Sequence, residues 1–307
     1  MSVLDNVLDE MRPVICIAGP TASGKSRFSV DLAQRVDGEI VNADALQVYA
    51  DLQILSARPL LSDMGGVPHH LFGHVPADTA YSTGEWLRDA VPVILDIMGR
   101  NRTPILVGGT GLYFKALLQG LADVPAISDP VRQAVRSLNL EAVQMEATAV
   151  DPLATARILG EDPQRLGRIV EVFRETGRPL SSWRAQTRPV IPSRHASPAI
   201  ILPDRETLYD RINARFDAML SSGALDEATS VQAKQIDRSA PMLKAIGLSH
   251  LLRYLDGELS LEEAIALAKR DSRRLAKRQM TWFRNQTPDW TVLRTEQDQA
   301  RFSDSFA

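Results

Sequence analysis

Gly19 to Ser26 reads GPTASGKS. It fits G-x-x-x-x-G-K-[ST], a turn whose backbone N–H groups cradle phosphates while the lysine reaches the outer phosphates and the hydroxyl meets Mg²⁺. Gly19, Pro20, Thr21, Ala22, Ser23, Gly24, Lys25 and Ser26 are therefore a candidate phosphate loop, with Ser26 the candidate Mg²⁺ ligand. Three further features could act beside it. Asp44 closes the stretch EIVNAD, Thr110 lies among the glycines of GGTG at 108–111, and Arg211 and Arg215 share one line of a helical pattern. Together these residue types can hold a polyphosphate, neutralise its charge and accept a proton. A fourth feature is a run of one sign: Lys269, Arg270, Arg273, Arg274, Lys277 and Arg278, interrupted by Asp271. Such a run repels itself unless phosphates neutralise it, although a solvated helix face is the ordinary alternative.

The elements that must position these groups can be read from periodicity. PVICIA at 13–18 has the length and composition of a buried strand, and Phe28, Leu32 and Val36 follow at helical spacing. Strand, Gly-rich turn and helix in that order aim the helix N-terminus at the anion. EIVNAD reads as a second strand. Asp44 at its end either faces the ligand crevice beyond the strand tips or caps a short helix over 45–49. TPILV at 103–107 is a buried strand followed by Gly108, Gly109, Thr110 and Gly111, where bare backbone allows close approach to a ligand. A nucleotide hydrolase would carry a Mg²⁺-binding Asp there, so ATP hydrolysis is disfavoured. Loops are expected over 56–59 and 65–74, with structural roles for His69 and His70. A helix over 83–98 has a Ser82/Glu85 capping box.

Residues 129–176 show no β-rich run, and three helices are expected: 130–137, 152–159 and 163–176. Asp151 and Asp162 cap the last two, each followed by Pro, and Gly177 ends the third. Gln164, Arg165 and Arg168 crowd the start of that third helix, where the dipole disfavours cations. An external anion and a solvated face are both open. A strand over 199–202 and helices over 205–220, 240–257 and 261–284 complete the pattern. The tail after Trp290 looks peripheral.

Composition excludes little but bounds much. With 307 residues and a net charge of -3, the chain is not a uniformly basic nucleic-acid binder, although a local patch can still bind phosphates. Cys16 is the single cysteine, so no internal disulfide forms, which suits a reducing compartment. The start, MSVLDNVLDEMR, lacks a secretory signal, and no apolar run approaches the ~20 residues of a bilayer span. A cytoplasmic location follows as the expectation, with no membrane partner.

Read in order, GPTASGKS, NADALQVY at 42–49, PHHL at 68–71, GGTGLYFKALLQGL at 108–121, DPQRLGRIVEVFRETG at 162–177, RINARFDAML at 211–220 and LAKRQMTWFR at 275–284 closely resemble the tRNA dimethylallyltransferases, or tRNA isopentenyltransferases, of bacterial type. The resemblance spans about Val14 to Arg284. It implies an α/β fold: a P-loop NTPase-like parallel sheet core flanked by helices (1–121 and 199–307), with an inserted all-helical domain (122–198). It also implies transfer of a dimethylallyl group from dimethylallyl diphosphate to N6 of the adenosine beside the anticodon in tRNAs reading codons that start with U, with Mg²⁺ required.

In that frame Asp44 is the general base. Lys25 and Arg215 hold the diphosphate, and Thr110 contacts either diphosphate or adenine. The residues implied to meet the tRNA anticodon stem-loop are Asp44, Ala45, Leu46, Gln47, Thr110, Arg132, Gln164, Arg165, Leu166, Gly167, Arg168, Lys244, Ala245, Ile246, Gly247, Leu248 and Ser249. The basic helix face at Arg273, Arg274, Lys277 and Arg278 is the implied platform for the stem. Ala45, Gly73 and Leu248 depart from common family residues. A monomer is expected. The alternatives are a small-molecule kinase, which needs neither the basic face nor the crowded arginines, and an RNA-binding nucleotide switch, which needs no base at 44.

Overall fold

All five residues of β1, Val14–Ala18, are buried. An uninterrupted apolar run of this kind belongs to a strand covered on both faces. The computed structural model describes residues 12–158 and 160–306, so most of the acidic N-terminal stretch and Leu159 lie outside the described residues. Among the described residues the sheet has six parallel strands in the order β3-β2-β4-β1-β5-β6, the others being β2 (Gly38–Asn42), β3 (His69–His70), β4 (Thr103–Gly108), β5 (Ala196–Ile201) and β6 (Thr291–Leu293). Helices α1 (Lys25–Val36), α2 (Thr83–Gly99) and α3 (Gly111–Gln119) follow β1, β3 and β4 in the chain. Chain order and spatial order diverge around β1: β2 lies two places away, beyond β4. That divergence opens the crevice at the strand tips where α/β sheets bind ligands.

Two strands were not expected. His69–His70 pairs with β2, and the polar tail supplies β6 and a helix, Glu296–Asp304. Runs of two and three residues are too short for a period-2 pattern to register. The adjacent histidines are structural: His69 Nδ1 lies 2.8 Å from Val67 O, and His70 Nε2 lies 2.6 Å from Glu39 Oε2.

The chain divides into two compact units, Met1–Leu118 with Ile191–Ala307, and Gln119–Val190. The second unit is helical and ends at 190 rather than at 198, because Ile191 N–H already bonds Leu117 O and β5 begins at Ala196. Among the described residues it contains five helices rather than three: α4 (Asp129–Arg136), α5 (Leu140–Val150), α6 (Pro152–Thr155), α7 (Pro163–Thr176) and α8 (Leu180–Arg184). The N-caps at Asp151 and Asp162 are present, accepting from Ala154 and Arg165 N–H. Buried Asp151 also accepts from Ser181 N–H at 2.7 Å, so one carboxylate organises the starts of two helices. Val143, Leu166, Ile169, Val170 and Val172 lie in this unit's own core.

In the larger unit the remaining helices are α9 (Arg205–Ser221), α10 (Ala224–Ala233), α11 (Leu248–Leu255), α12 (Leu261–Gln286) and α13 (Glu296–Asp304). The expected helix over 240–257 is a 3₁₀ turn, Pro241–Lys244, and then α11. Gly247 breaks it at φ 94. No described helix is long and apolar enough to cross a membrane.

A buried carboxylate anchors β2. Glu39, 2 % exposed, takes Arg100, Arg102 and His70. The Arg100 hydrogen bond holds its pKa down to about 2, against burial, with His70 and Arg102 adding to the effect. A depressed folded pKa means stability that is present above the unfolded carboxyl pKa and lost as pH falls through about 2. Glu39→Gln is therefore expected to cost about 2 kcal/mol at pH 7 and to flatten the acid limb of a Tm-versus-pH curve. An unchanged limb would show that the arginines are solvated equally well without it.

Candidate active site

The phosphate loop owes its shape to two left-handed residues, Ala22 at φ 63 and Gly24 at φ 90. Gly24 adopts that region freely, whereas Ala22 does so under strain of the kind found at ligand clamps. No side chain caps the first turn of α1, so its N–H groups are left for an anion. Lys25 Nζ donates to Pro20 O at 3.3 Å. Burial pulls its pKa down to about 8; Asp44 pushes it back up and Arg215 lowers it further. Burial also lowers Arg215, opposed by Asp44. Arg215 projects from α9 and donates to the Thr21 hydroxyl. Two cations lining one cavity without a full counter-charge suit an anionic ligand.

Asp44 follows β2 in a turn, not a helix. Oδ1 accepts from Leu46 N–H at 3.0 Å, while Oδ2 makes no hydrogen bond among the described residues. Only one oxygen is thus taken up by the turn, and Asp44 lines both cavities described below. Asn42 builds this turn, and sequence reading missed it. It is fully buried. Its Oδ1 accepts from Asp44 N–H at 2.9 Å, and its Nδ2 donates to Asp44 O and to Leu71 O. Its own carbonyl takes the Trp86 indole N–H at 2.7 Å. An Asn two residues before a strand-end Asp was the available signal.

The glycines of GGTG serve packing within the protein. A Cβ on Gly108 would collide with Ala43 O, one on Gly109 with the Gln279 amide, and one on Gly111 with the Trp282 ring. They admit protein neighbours, and Gly109 also lines the second cavity described below. This explains why the 108–111 and 275–284 stretches belong together: α12 lies on the Gly-rich loop. Thr110 Oγ1 accepts from Ala45 N–H at 2.9 Å, which leaves its proton to donate.

Two cavities meet here. A polar one of about 310 Å³ is lined by Thr21 to Arg27, Asp44, Gln47, Ser56, Ala57, Arg211 and Arg215. The other, about 330 Å³, includes Asp44, Ala45, Leu46, Thr110, Ile246 and Gln279 and shares Thr21, Asp44, Ser56 and Arg215 with the first. Arg211 thus joins Arg215, as its i, i+4 spacing allowed. Gln47 lines the polar half, but its Nε2 is engaged by Ser56 O and Ala57 O.

Several residues expected to meet RNA are not available through their side chains. Leu166, Ala245 and Leu248 are buried at 3 %, 0 % and 0 %. Gly167 is buried opposite Val135, and Gly247 lies beneath Phe216 and Leu55. Ser249 lines a separate cavity with Arg253 and Asp256. Lys244, Arg132, Gln164 and Arg165 are exposed and Arg168 is half-buried. Arg165 pairs with its own N-cap, Asp162, at 3.2 Å, Arg168 lies 3.6 Å from Glu171, and Arg132 lies 3.6 Å from Asp129. These acids offset the dipole conflict in part.

The basic face of α12 is narrower than its sequence suggests. Arg273 donates to Asn213 at 2.6 Å and Lys269 pairs with Asp217, so both turn toward α9. Arg270 and Arg274 share Asp271, and Lys277 and Arg278 are exposed without ion pairs among the described residues. Residues 269 and 273 lie one turn apart, and buried Ala276 continues the same line one turn after 273, which is why they face inward.

Comparison with known proteins bears directly on this arrangement. The family model described as IPP transferase matches residues 47–286, and that described as isopentenyl transferase matches residues 12–71. The tRNA dimethylallyltransferase of Maricaulis maris is 48% identical over 297 residues, covering 95% of this chain and 96% of that protein. The full-length tRNA isopentenylpyrophosphate transferase of Bacillus halodurans superposes with a TM-score of 0.69 at 33% identity, covering 96% of this chain and 95% of that one. A eukaryotic dimethylallyltransferase acting on tRNA superposes at 0.81 with 27% identity, covering 92% of this chain and 74% of its own. The matched span contains the loop at Asp44, the GGTG turn and the α12 residues that touch it, and on that ground the chain belongs to the IPP transferase family.

Proposed function

We propose that this chain transfers a dimethylallyl group from dimethylallyl diphosphate to N6 of the adenosine beside the anticodon of tRNA, releasing diphosphate. The observation that carries the reading is the meeting of the two cavities at Asp44, Thr21 and Arg215. The polar half suits a diphosphate: loop N–H groups, Lys25, Arg211 and Arg215 surround it. The second half suits a purine extruded from its stack, the way base-modifying enzymes take their targets.

In the transfer the N6 lone pair attacks the allylic C1 and the C1–O bond breaks. The electron pair leaves with the diphosphate, and the N6 proton passes to Asp44. Lys25 and Arg215 neutralise the charge that builds on the leaving oxygens, an effect strongest in a water-poor cavity. A carboxylate beside an exocyclic amine supplies general-base assistance. Thr110, with its proton free to donate, is suited to an acceptor oxygen of the diphosphate or a ring nitrogen of adenine.

The Ser26 hydroxyl lines the polar half and makes no hydrogen bond among the described residues, which fits a Mg²⁺ shared with the diphosphate. When bound, Mg²⁺ would supply charge compensation to the leaving group while keeping several waters. The kinase alternative has no supporting observation. A side chain at Gly108 would strike Ala43 O, so the tip of β4 has no room for the carboxylate that a typical P-loop hydrolase carries there.

Incubation with isotopically labelled donor and unmodified tRNA, followed by digestion, tests the reading. Label in N6-(dimethylallyl)adenosine supports it, and ATP consumption without an alkylated nucleoside overturns it. We further propose that RNA phosphates meet Arg132, Gln164, Arg165, Arg168 and Lys244 together with Arg274, Lys277 and Arg278. The Lys277→Ala/Arg278→Ala double variant is expected to shallow the slope of log K against log salt by about 1.5–2, whereas Arg273→Ala leaves it unchanged. Equal effects from both would mean that Arg273 is freed from Asn213 when RNA binds.

A further inference from the structure

Ser272, Leu275 and Gln279 of α12 line the second cavity, and Gln279 also reaches both loops. Gln279 Oε1 accepts from Thr21 N–H at 3.0 Å, and its Nε2 donates to Gly109 O at 2.9 Å. The amide therefore bridges the phosphate loop and the Gly-rich loop and lines the cavity with Asp44 and Thr110. Thr21 is tied on its other side to Arg215, and Thr110 to the backbone beside Asp44. A continuous path thus runs from the cation on α9 through both loops to the candidate base.

We propose that Gln279 is a positioning residue for prenyl transfer, setting the distance between the loop that holds the leaving diphosphate and the loop that carries Thr110. The proposal rests on the reading given under Proposed function.

The chemistry of the bridge is specific. Thr21 offers an N–H and Gly109 a C=O, so the spanning group must accept at one end and donate at the other. A primary amide does both. A carboxylate would set an oxygen against the Gly109 carbonyl, and an aliphatic side chain would leave both backbone groups unpaired. Gly109 completes the device, because any Cβ there would occupy the space of the Gln279 amide.

The helix does not depend on this contact for its position. Trp282 packs against Gly111, Phe283 is buried at 1 %, and Arg273 reaches Asn213. Removing the amide should therefore loosen the two loops without displacing α12. Displacement transfers are sensitive to such loosening, since about 1 Å of misplacement costs on the order of 10² in rate.

The test uses the full chain with dimethylallyl diphosphate and unmodified tRNA. Gln279→Leu is expected to lower kcat by about 30–100-fold, with KM for donor and tRNA within about threefold of wild type and the Tm little changed. Gln279→Glu should be at least as slow. A double-mutant cycle adds a readout that a structural role would not move. Gly109→Ala should be slow in the wild-type background, where it expels the amide. It should cost clearly less once Gln279→Ala has made room, the remaining cost being the few tenths of an ångström by which Gly19 O, 3.3 Å away, must give.

A kcat for Gln279→Leu within threefold of wild type, a loss confined to KM, or an additive cycle overturns the proposal. If Gln279→Leu does not fold, Gln279→Met carries the same expectation. A wild-type chain that forms no alkylated adenosine overturns the functional reading as well, so failure of the two is separable.

Discussion

Asp44→Asn is expected to lower kcat by roughly 10³ while leaving the affinity for unmodified tRNA within a few-fold of wild type. The amide keeps an oxygen for Leu46 N–H, so the turn survives and the lost group is the second carboxylate oxygen. This separates chemistry from architecture better than Asp44→Ala, which removes both. The same variant has a second consequence. Asp44 raises the Lys25 pKa against burial, so neutralising residue 44 should move the Lys25 ionisation to lower pH. Single-turnover rates across pH, with tRNA saturating, measure both effects. A turnover within threefold of wild type would remove Asp44 as the base.

Lys25→Ala is expected to reduce kcat/KM for dimethylallyl diphosphate by about 10²–10³, with the KM for tRNA changed less than threefold. The wild-type profile gives an independent check. In the free chain Lys25 loses its proton near pH 8, and kcat/KM reports the free enzyme. That parameter should therefore fall above about pH 8 by one decade per pH unit, a limb absent from Lys25→Ala. Stability follows the opposite course. Between about 8 and the ordinary lysine value the unfolded chain holds more protons than the folded one, so in this window the ligand-free protein gains stability as pH rises. Diphosphate binding restores the charge and should erase the gain. A flat kcat/KM profile from pH 7 to 9.5 would mean that the ammonium is better solvated than its surroundings imply.

How much was legible can be judged at single residues. The phosphate loop, its strand and its helix were readable because each depends on neighbours in sequence: an apolar run, two glycines at fixed spacing, a 3-4 stripe. The same holds for the Ser82/Glu85 and Asp162 caps. The Asn139 cap of α5 accepts from Ala142 N–H and carried an equally local signal that went unused. By contrast, β3 and β6 exist only because a longer strand presents an edge to them.

Local chemistry, read along the chain, settled what could be bound and what could ionise: a loop for phosphates, a carboxylate at a strand tip, an arginine line and a basic helix. Tertiary contact decided which of these converge. It selected Arg215 and Arg211 but turned Arg273 toward Asn213, hid Leu166, Ala245 and Leu248 in cores, assigned the GGTG glycines to Ala43, Gln279 and Trp282, and recruited Asn42 and Gln279. The reason is physical. A side chain's type is a property of one position, but its hydrogen-bond partner and its access to solvent are set by groups far along the chain, 258 positions away for Gln279 and Thr21, and those are fixed only when the sheet and α12 pack.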